Sequence, residues 1–503
     1  MTLLAASFGA LNFTVLGLYL AVMVAIGIVF AGRQKTTEDY FLAGRKMPWL
    51  VVGMSMYASL TSAISYMGIP GRAYEENAAY WIQGPISFLI LPILIRAFYP
   101  FYRILNVTTT YEYILQRYGP TARTVVSALF VLARLGWLGT VIYAPALALS
   151  AVTGMDLWLT IALMGILATG YTALGGLAAV LWTDLIQFVV LVGGAAWVAV
   201  SLTGSVPGGM SGVLDIASDS GRLDVFDFSK FSLFEMTVLG IALSYFCELL
   251  QSYGTDQVTV QRLLAVRSPG GMTKAALFNA FSDLLLVLLL LYVGLGLFAY
   301  VSTHPTALPS DIRADGLLPA YIMHALPVGV SGLVITGIFA AAMSSMDSGI
   351  NSLATVLVKD FIGPAYGREM SERGSVQLAR SLTLALGLAA TGVAFYVSTI
   401  EKLLKASSSF LGLFAAPVLV IFVLGMLSRR INFAGWLVGV TVSIPATLFI
   451  QHKTDIHFTH YFTFGFVSCA LTTIIASLLI PRPLAPIELT LWGRDRLRKS
   501  STE

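Results

Sequence analysis

Ser344, Ser345, Asp347 and Ser348 stand together in the segment Ile338-Phe-Ala-Ala-Ala-Met-Ser-Ser-Met-Asp-Ser-Gly-Ile-Asn351. The stretch around them is apolar enough to cross a bilayer, and a carboxylate at membrane depth is costly unless it binds something. In a helix, Ala341, Ser344 and Ser345 fall at i, i+3 and i+4. Ser344, Asp347 and Ser348 repeat that spacing, so both sets lie on one face. The face is a ladder of small oxygen ligands, the donors that hard cations such as Na⁺ prefer.

Two further polar clusters interrupt apolar runs. The first is Ser55-Met-Tyr-Ala-Ser-Leu-Thr-Ser-Ala-Ile-Ser65, followed by Gly68 and Pro70. The second is Cys247-Glu248-Leu-Leu-Gln251-Ser252-Tyr253-Gly254. Such hydroxyls suit a cavity or an unwound turn better than a lipid-facing surface. The bland alternative is serines that bond back to i−4 carbonyls and help helices pack. Glu248 suits a polyol or a cationic group and repels an anion unless it is protonated or paired. Arg134 is its candidate opposite charge.

The elements that must position these groups follow from composition. The chain has 503 residues, 57% hydrophobic and 11% charged, with a mean hydropathy of +0.82. Soluble domains carry about 25% charged residues. The chain therefore reads as an all-α, multi-pass membrane protein. A net charge of +4 does not imply nucleic-acid binding, because the basic residues cluster at segment ends. Cys247 and Cys469 both lie in apolar runs, which argues against a disulfide framework or metal cluster. The five histidines form no HExxH pattern, and neither GxSxG nor CxxC occurs, so an enzyme is not expected.

Apolar windows of about 20 residues mark thirteen spans. They lie near 12–31, 49–70, 81–104, 124–151, 156–175, 179–203, 233–254, 275–300, 322–358, 378–399, 403–427, 433–451 and 459–480. The ninth is long enough to include an extramembrane helical approach. The first reads as a retained helix, not a signal peptide, for it has no basic flank. Basic residues follow the odd-numbered spans: Arg33, Lys35, Arg45 and Lys46; Arg103, Arg117 and Arg123; Arg262, Arg267 and Lys274; Lys359, Arg368 and Arg373; Arg429 and Arg430; then Arg494, Arg496, Arg498 and Lys499. Alternate loops carry Glu75 and Glu76, or Asp215, Asp219, Asp224 and Asp227. The positive-inside rule then places the N-terminus outside and the C-terminus in the cytoplasm of a plasma (inner) membrane.

Without the first helix and the last two, ten spans remain. Five plus five gives an inverted repeat. The expected organisation is an N-terminal helix and cytoplasmic loop (1–48), a first five-helix repeat (49–203), an extracellular loop (204–232), a second, inverted repeat (233–427), and two C-terminal helices with a tail (428–503). The first helix of each repeat should be interrupted near mid-membrane.

The stretch Thr172-Ala-Leu-Gly-Gly-Leu-Ala-Ala-Val-Leu-Trp-Thr-Asp-Leu-Ile-Gln187 resembles the signature of the sodium:solute symporter family. Asp39-Tyr-Phe-Leu-Ala-Gly-Arg45, Thr110-Tyr-Glu-Tyr113, Asp256-Gln-Val-Thr-Val-Gln-Arg262 and Ala340-Ala-Ala-Met-Ser-Ser345 are similar to other blocks of that family. The resemblance runs from about residue 12 to about residue 480. It implies a leucine-transporter-like fold that couples Na⁺ entry to uptake of a small organic solute by alternating access. The solute would be an organic anion such as a sialic acid or monocarboxylate, or alternatively a sugar or polyol. A passive channel or a transporter-like sensor is the reading from another class. The expected partners are Na⁺, the solute and the lipid bilayer, with the chain working as a monomer.

The resemblance also implies site residues. The main sodium site would use carbonyls of Ala58, Thr61 and Ala341 with hydroxyls of Ser344 and Ser345. A second sodium would use Asp184, Ser344, Asp347 and Ser348. Sialic-acid relatives carry serine where this chain has Asp347. Two carboxylates there could hold Na⁺ more tightly, or one could stay protonated. The solute would meet Leu60, Ser62, Ser65, Tyr66, Tyr80, Gln83, Gly84, Trp137, Glu248, Gln251, Ser252 and Tyr253. Sialic-acid relatives grip the carboxylate with an arginine where this chain has Trp137. Arg134 lies almost one turn away.

Overall fold

A computed structural model describes residues 9–31, 36–105, 107–308, 312–366, 371–400, 403–480 and 482–493. Arg33, Lys35, Arg368, Arg494, Arg496, Arg498 and Lys499 lie outside the described residues, as does the side chain of Arg373. Among the described residues the protein is helical throughout, with a single isolated bridge from Met47 to Val266 and no strand. Ten helices among the described residues are long and apolar enough to cross a membrane, and a bent pair makes an eleventh. Large apolar side chains such as Leu18, Val200, Phe449 and Leu479 face outward. That surface suits lipid, because helices satisfy their own backbone groups and need no water.

At the centre lies the helix Val330–Val356, in which every residue from Val334 to Val356 is buried. Its N-terminus is held by the first helix, Ala10–Ala31. Asn12 Oδ1 accepts from the N–H groups of Gly329 (2.7 Å) and Gly332 (3.1 Å), and Asn12 Nδ2 donates to Ser331 Oγ (3.0 Å). A buried helix end needs such partners for its free N–H groups. The long approach read before this helix is a separate helix, Ala314–Ala325.

Three interruptions shape the interior. Trp49–Leu60 and Ala63–Glu75 meet at 59°. Val238–Gly254 ends at Thr255, and Gln257–Ala265 begins after Asp256. Both second halves start on a side-chain cap. Ser62 Oγ accepts from the Ile64 N–H at 3.2 Å, and Asp256 Oδ1 from the Val258 N–H at 2.9 Å. The second span was read as 49–70 and the seventh as 233–254. The first of these readings stops within its second half-helix and the other before its own begins, because polar residues in those halves lower the hydropathy. The loop read at 204–232 contains a helix, Gly209–Asp219.

The third interruption is Gly176, within Leu157–Ser205. Its φ of 57° and ψ of −176° belong to a region open essentially to glycine alone. It separates the reading's fifth and sixth spans and turns the second piece, Gly176–Ser205, so that Asp184 reaches the interior.

Gly176→Ala should lower stability by about 1–3 kcal/mol, since alanine cannot hold that backbone without strain. Thermal unfolding of the detergent-purified chain checks this, and an unchanged or higher midpoint would contradict it.

Candidate functional site

A helix that stops inside a protein leaves its last carbonyls without i+4 donors. Here the serine-bearing helix supplies the donors. Ser344 Oγ donates to the Ala58 carbonyl at 2.7 Å and lies 3.0 Å from the Ala341 carbonyl. Ser345 Oγ donates to the Ser59 carbonyl at 2.9 Å. Ala58, Ala341 and Ser344 thus meet as read. Ser345 stands beside them on a carbonyl the reading did not name. The carbonyls also form the negative end of a helix dipole. Thr61 closes the half-helix, its N–H on the Tyr57 carbonyl at 2.9 Å, and it faces the neighbouring cavity.

One turn further along, Ser348 Oγ donates to the Ser344 carbonyl and lies 2.8 Å from Ser59 Oγ. Ser59 Oγ is also 3.1 Å from Asp184 Oδ2. Ser55 Oγ donates to the same carboxylate oxygen at 2.5 Å. Into this cluster comes Arg262, which is 1% exposed. Its Nη2 lies 3.2 Å from Asp184 Oδ2 and donates to Ser348 Oγ, while its Nε donates to Ser55 Oγ at 2.8 Å. Arg262 was counted among the loop charges. It is instead buried in the half-helix Gln257–Ala265 and ion-paired to Asp184. Asp347 is on the same helix as Ser348, but its Oδ1 accepts from Thr172 Oγ1 at 2.7 Å.

A cavity of about 140 Å³ lies against both broken helices. Of the residues read as solute contacts, Leu60, Ser62, Ser65, Gln83, Arg134, Trp137, Glu248, Gln251, Ser252 and Tyr253 line it. Tyr66, Tyr80 and Gly84 do not. Tyr66 directs its hydroxyl toward the Leu191 carbonyl (3.4 Å), and Tyr80 packs edge-on to Tyr245. Gly84 is a packing position, where a Cβ would come within 2.4 Å of Leu284.

Asp283 also lines the cavity and accepts from Ser87 Oγ. The reading passed over it, although a lone aspartate in the apolar run Phe281–Leu291 is a legible signal. Arg134 is ion-paired with Asp256, not Glu248, and its guanidinium carbon sits 4.5 Å from the Trp137 ring centroid. Ser55, Ser59 and Arg262 were quoted within motifs without being read as ligands. Nothing in the sequence says that these motifs meet.

The sequence model of the sodium:solute symporter family matches residues 40–443. The chain belongs to this family. It is a multi-pass integral membrane protein and not an enzyme. A sodium/sialic acid symporter of Aliivibrio fischeri is 33% identical over 479 residues, covering 95% of this chain and 94% of that one. The human sodium-coupled monocarboxylate transporter 1 is 32% identical, over 87% of this chain and 72% of its own length. Among solved structures, a substrate-bound, outward-open Na⁺-coupled sialic acid symporter, reported with a novel Na⁺ site, superposes with a TM-score of 0.88. It is 29% identical and covers 95% of this chain and 100% of that one.

Removing one partner of a buried ion pair costs about 3–5 kcal/mol. Arg134→Ala should therefore lower the unfolding midpoint sharply. Arg134→Leu combined with Asp256→Asn should restore most of it, because asparagine still caps the half-helix. Equal loss in the single and double variants would show that the pair does not carry this stability.

Proposed function

We propose that this chain is a secondary active transporter that takes up a small organic solute together with one or two Na⁺, by alternating access. The observation that carries this reading is the contact of Ser344 and Ser345 with the carbonyls of Ala58 and Ser59. Two helices meet there through hydroxyl and carbonyl oxygens. A desolvated Na⁺ among those oxygens would bind both at once, and its escape would release them. The proposed main site is Ala58, Thr61, Ala341, Ser344 and Ser345, with Ser59 added. The proposed membrane arrangement is thirteen crossings with the N-terminus outside.

The relatives favour an organic anion, a sialic acid or a monocarboxylate. A sugar or polyol is the second reading. The cavity wall favours it, because Glu248 and Asp283 face the space and Arg134 already has a carboxylate partner. Each net charge carried inward gains about 2.3 kcal/mol per 100 mV. Two Na⁺ with a neutral solute gain about twice that, and with a monoanion about half of the neutral case.

Uptake into proteoliposomes should be saturable, require Na⁺ and fail with K⁺ or choline. A solute panel should separate anions from polyols. Equal accumulation without Na⁺ and without a pH difference would end the reading, as would flux that never saturates.

Ser345→Ala should raise the Na⁺ concentration for half-maximal uptake by about ten- to a hundredfold or abolish uptake, since one charge–dipole ligand is worth about 1.5–3 kcal/mol. Unchanged Na⁺ dependence would remove Ser345 from the site.

A further inference from the structure

The second oxygen cluster holds more acceptors than hydroxyl protons. Ser59 Oγ has one proton and three acceptors in reach: the Ser55 carbonyl at 2.6 Å, Ser348 Oγ at 2.8 Å and Asp184 Oδ2 at 3.1 Å. Asp184 Oδ1 is buried without a hydrogen-bond partner among the described residues. Ser55 gives its proton to Asp184 and Ser348 gives its own to the Ser344 carbonyl. An oxygen-rich, proton-poor pocket with a carboxylate requires a cation. The cation present is a side chain. Arg262 reaches Asp184, Ser348 and Ser55 with three of its N–H groups and the Val258 carbonyl with a fourth.

We propose that the Arg262 guanidinium and a sodium ion are alternative occupants of the cluster formed by Asp184, Ser59 and Ser348. The two exclude each other. A sodium ion on Asp184 would stand against a fixed positive charge in a dry interior, where like charges repel strongly. The same oxygens cannot ligate a metal while they accept from Arg262. Sodium entry therefore displaces the guanidinium, and sodium loss lets it return. The protein carries a tethered cation that keeps the site neutral when no ion is bound.

The exchange acts on one element. Arg262 ties Gln257–Ala265 to the serine-bearing helix through Ser348 and to the first broken helix through Ser55. That half-helix begins at Asp256, whose carboxylate holds Arg134 on the cavity wall. Displacing Arg262 frees the far end of the element whose near end holds Arg134 on the cavity wall. Ser59 joins this cluster to the main site, its carbonyl on Ser345 and its hydroxyl beside Ser348. The inference rests on the sodium reading of the serine-bearing helix.

The test is Na⁺ binding to the purified, full-length chain without solute, titrated with NaCl against choline chloride. Wild type should show a tight site and a much weaker second one. Arg262→Gln should tighten the second site by about tenfold or more, since a site held mainly by a competitor has its affinity reduced by the vacant fraction. The first site should change little. Adding Asp184→Asn to Arg262→Gln should abolish the second site.

Arg262→Lys keeps the charge but loses the fork, so it should tighten the second site by less than the glutamine variant. If Arg262→Gln does not fold, the lysine variant carries the test alone. A second site with unchanged affinity in either folded variant overturns the proposal while leaving the first site intact. Absence of any Na⁺ binding in wild type overturns the reading of the serine-bearing helix, and this inference with it.

Discussion

Backbone carbonyls at the end of an interrupted helix, deep in the molecule and without N–H partners, are the constraint from which the rest of this protein follows. In hydrocarbon such groups are too costly to leave unsatisfied. The carbonyls of Ala58 and Ser59 find Ser344 and Ser345. That requires the serine-bearing helix to lie at close range and in one rotational setting. Small residues let it pack closely elsewhere too, as at Gly349 against Leu138 of the helix Pro120–Thr153. Asn12 holds its N-terminus from the first helix.

The second cluster shows the same economy of protons with a charge added. Asp184 becomes tolerable in the interior because Ser55, Ser59 and Arg262 surround it. A buried pair of this kind contributes little net stability over an apolar substitute, while loss of one member is costly. It is therefore better placed to define an arrangement of helices than to strengthen one. Ser55, Ser59, Asp184, Arg262 and Ser348 come from four separate segments, so the cluster forms only where those segments meet.

The two interrupted helices are built alike, with Thr61-Ser62 at one break and Thr255-Asp256 at the other. In each, a side chain caps the returning half-helix. The cavity sits against both broken helices, so its wall is built in part from helices that stop inside the protein. Asp256 serves both purposes, capping its helix and holding Arg134.

The amino-acid sequence by itself determined the membrane class, the helical architecture and the oxygen face at Ala341, Ser344 and Ser345, and its family resemblance pointed to fewer than half of the residues that line the cavity. The first three features are local. Hydropathy over about 20 residues marks a span, and helical spacing marks a face. The tertiary structure alone decided who meets whom. Arg262 looks like a loop charge in sequence because polar neighbours end the apolar run, and only packing shows it buried against Asp184. Asp347 shares a face with Ser348 but bonds to Thr172, and Arg134 answers Asp256 instead of Glu248. A charge declares in sequence that it needs a partner. Which partner it takes depends on crossings between helices far apart in the chain, and no local pattern records those.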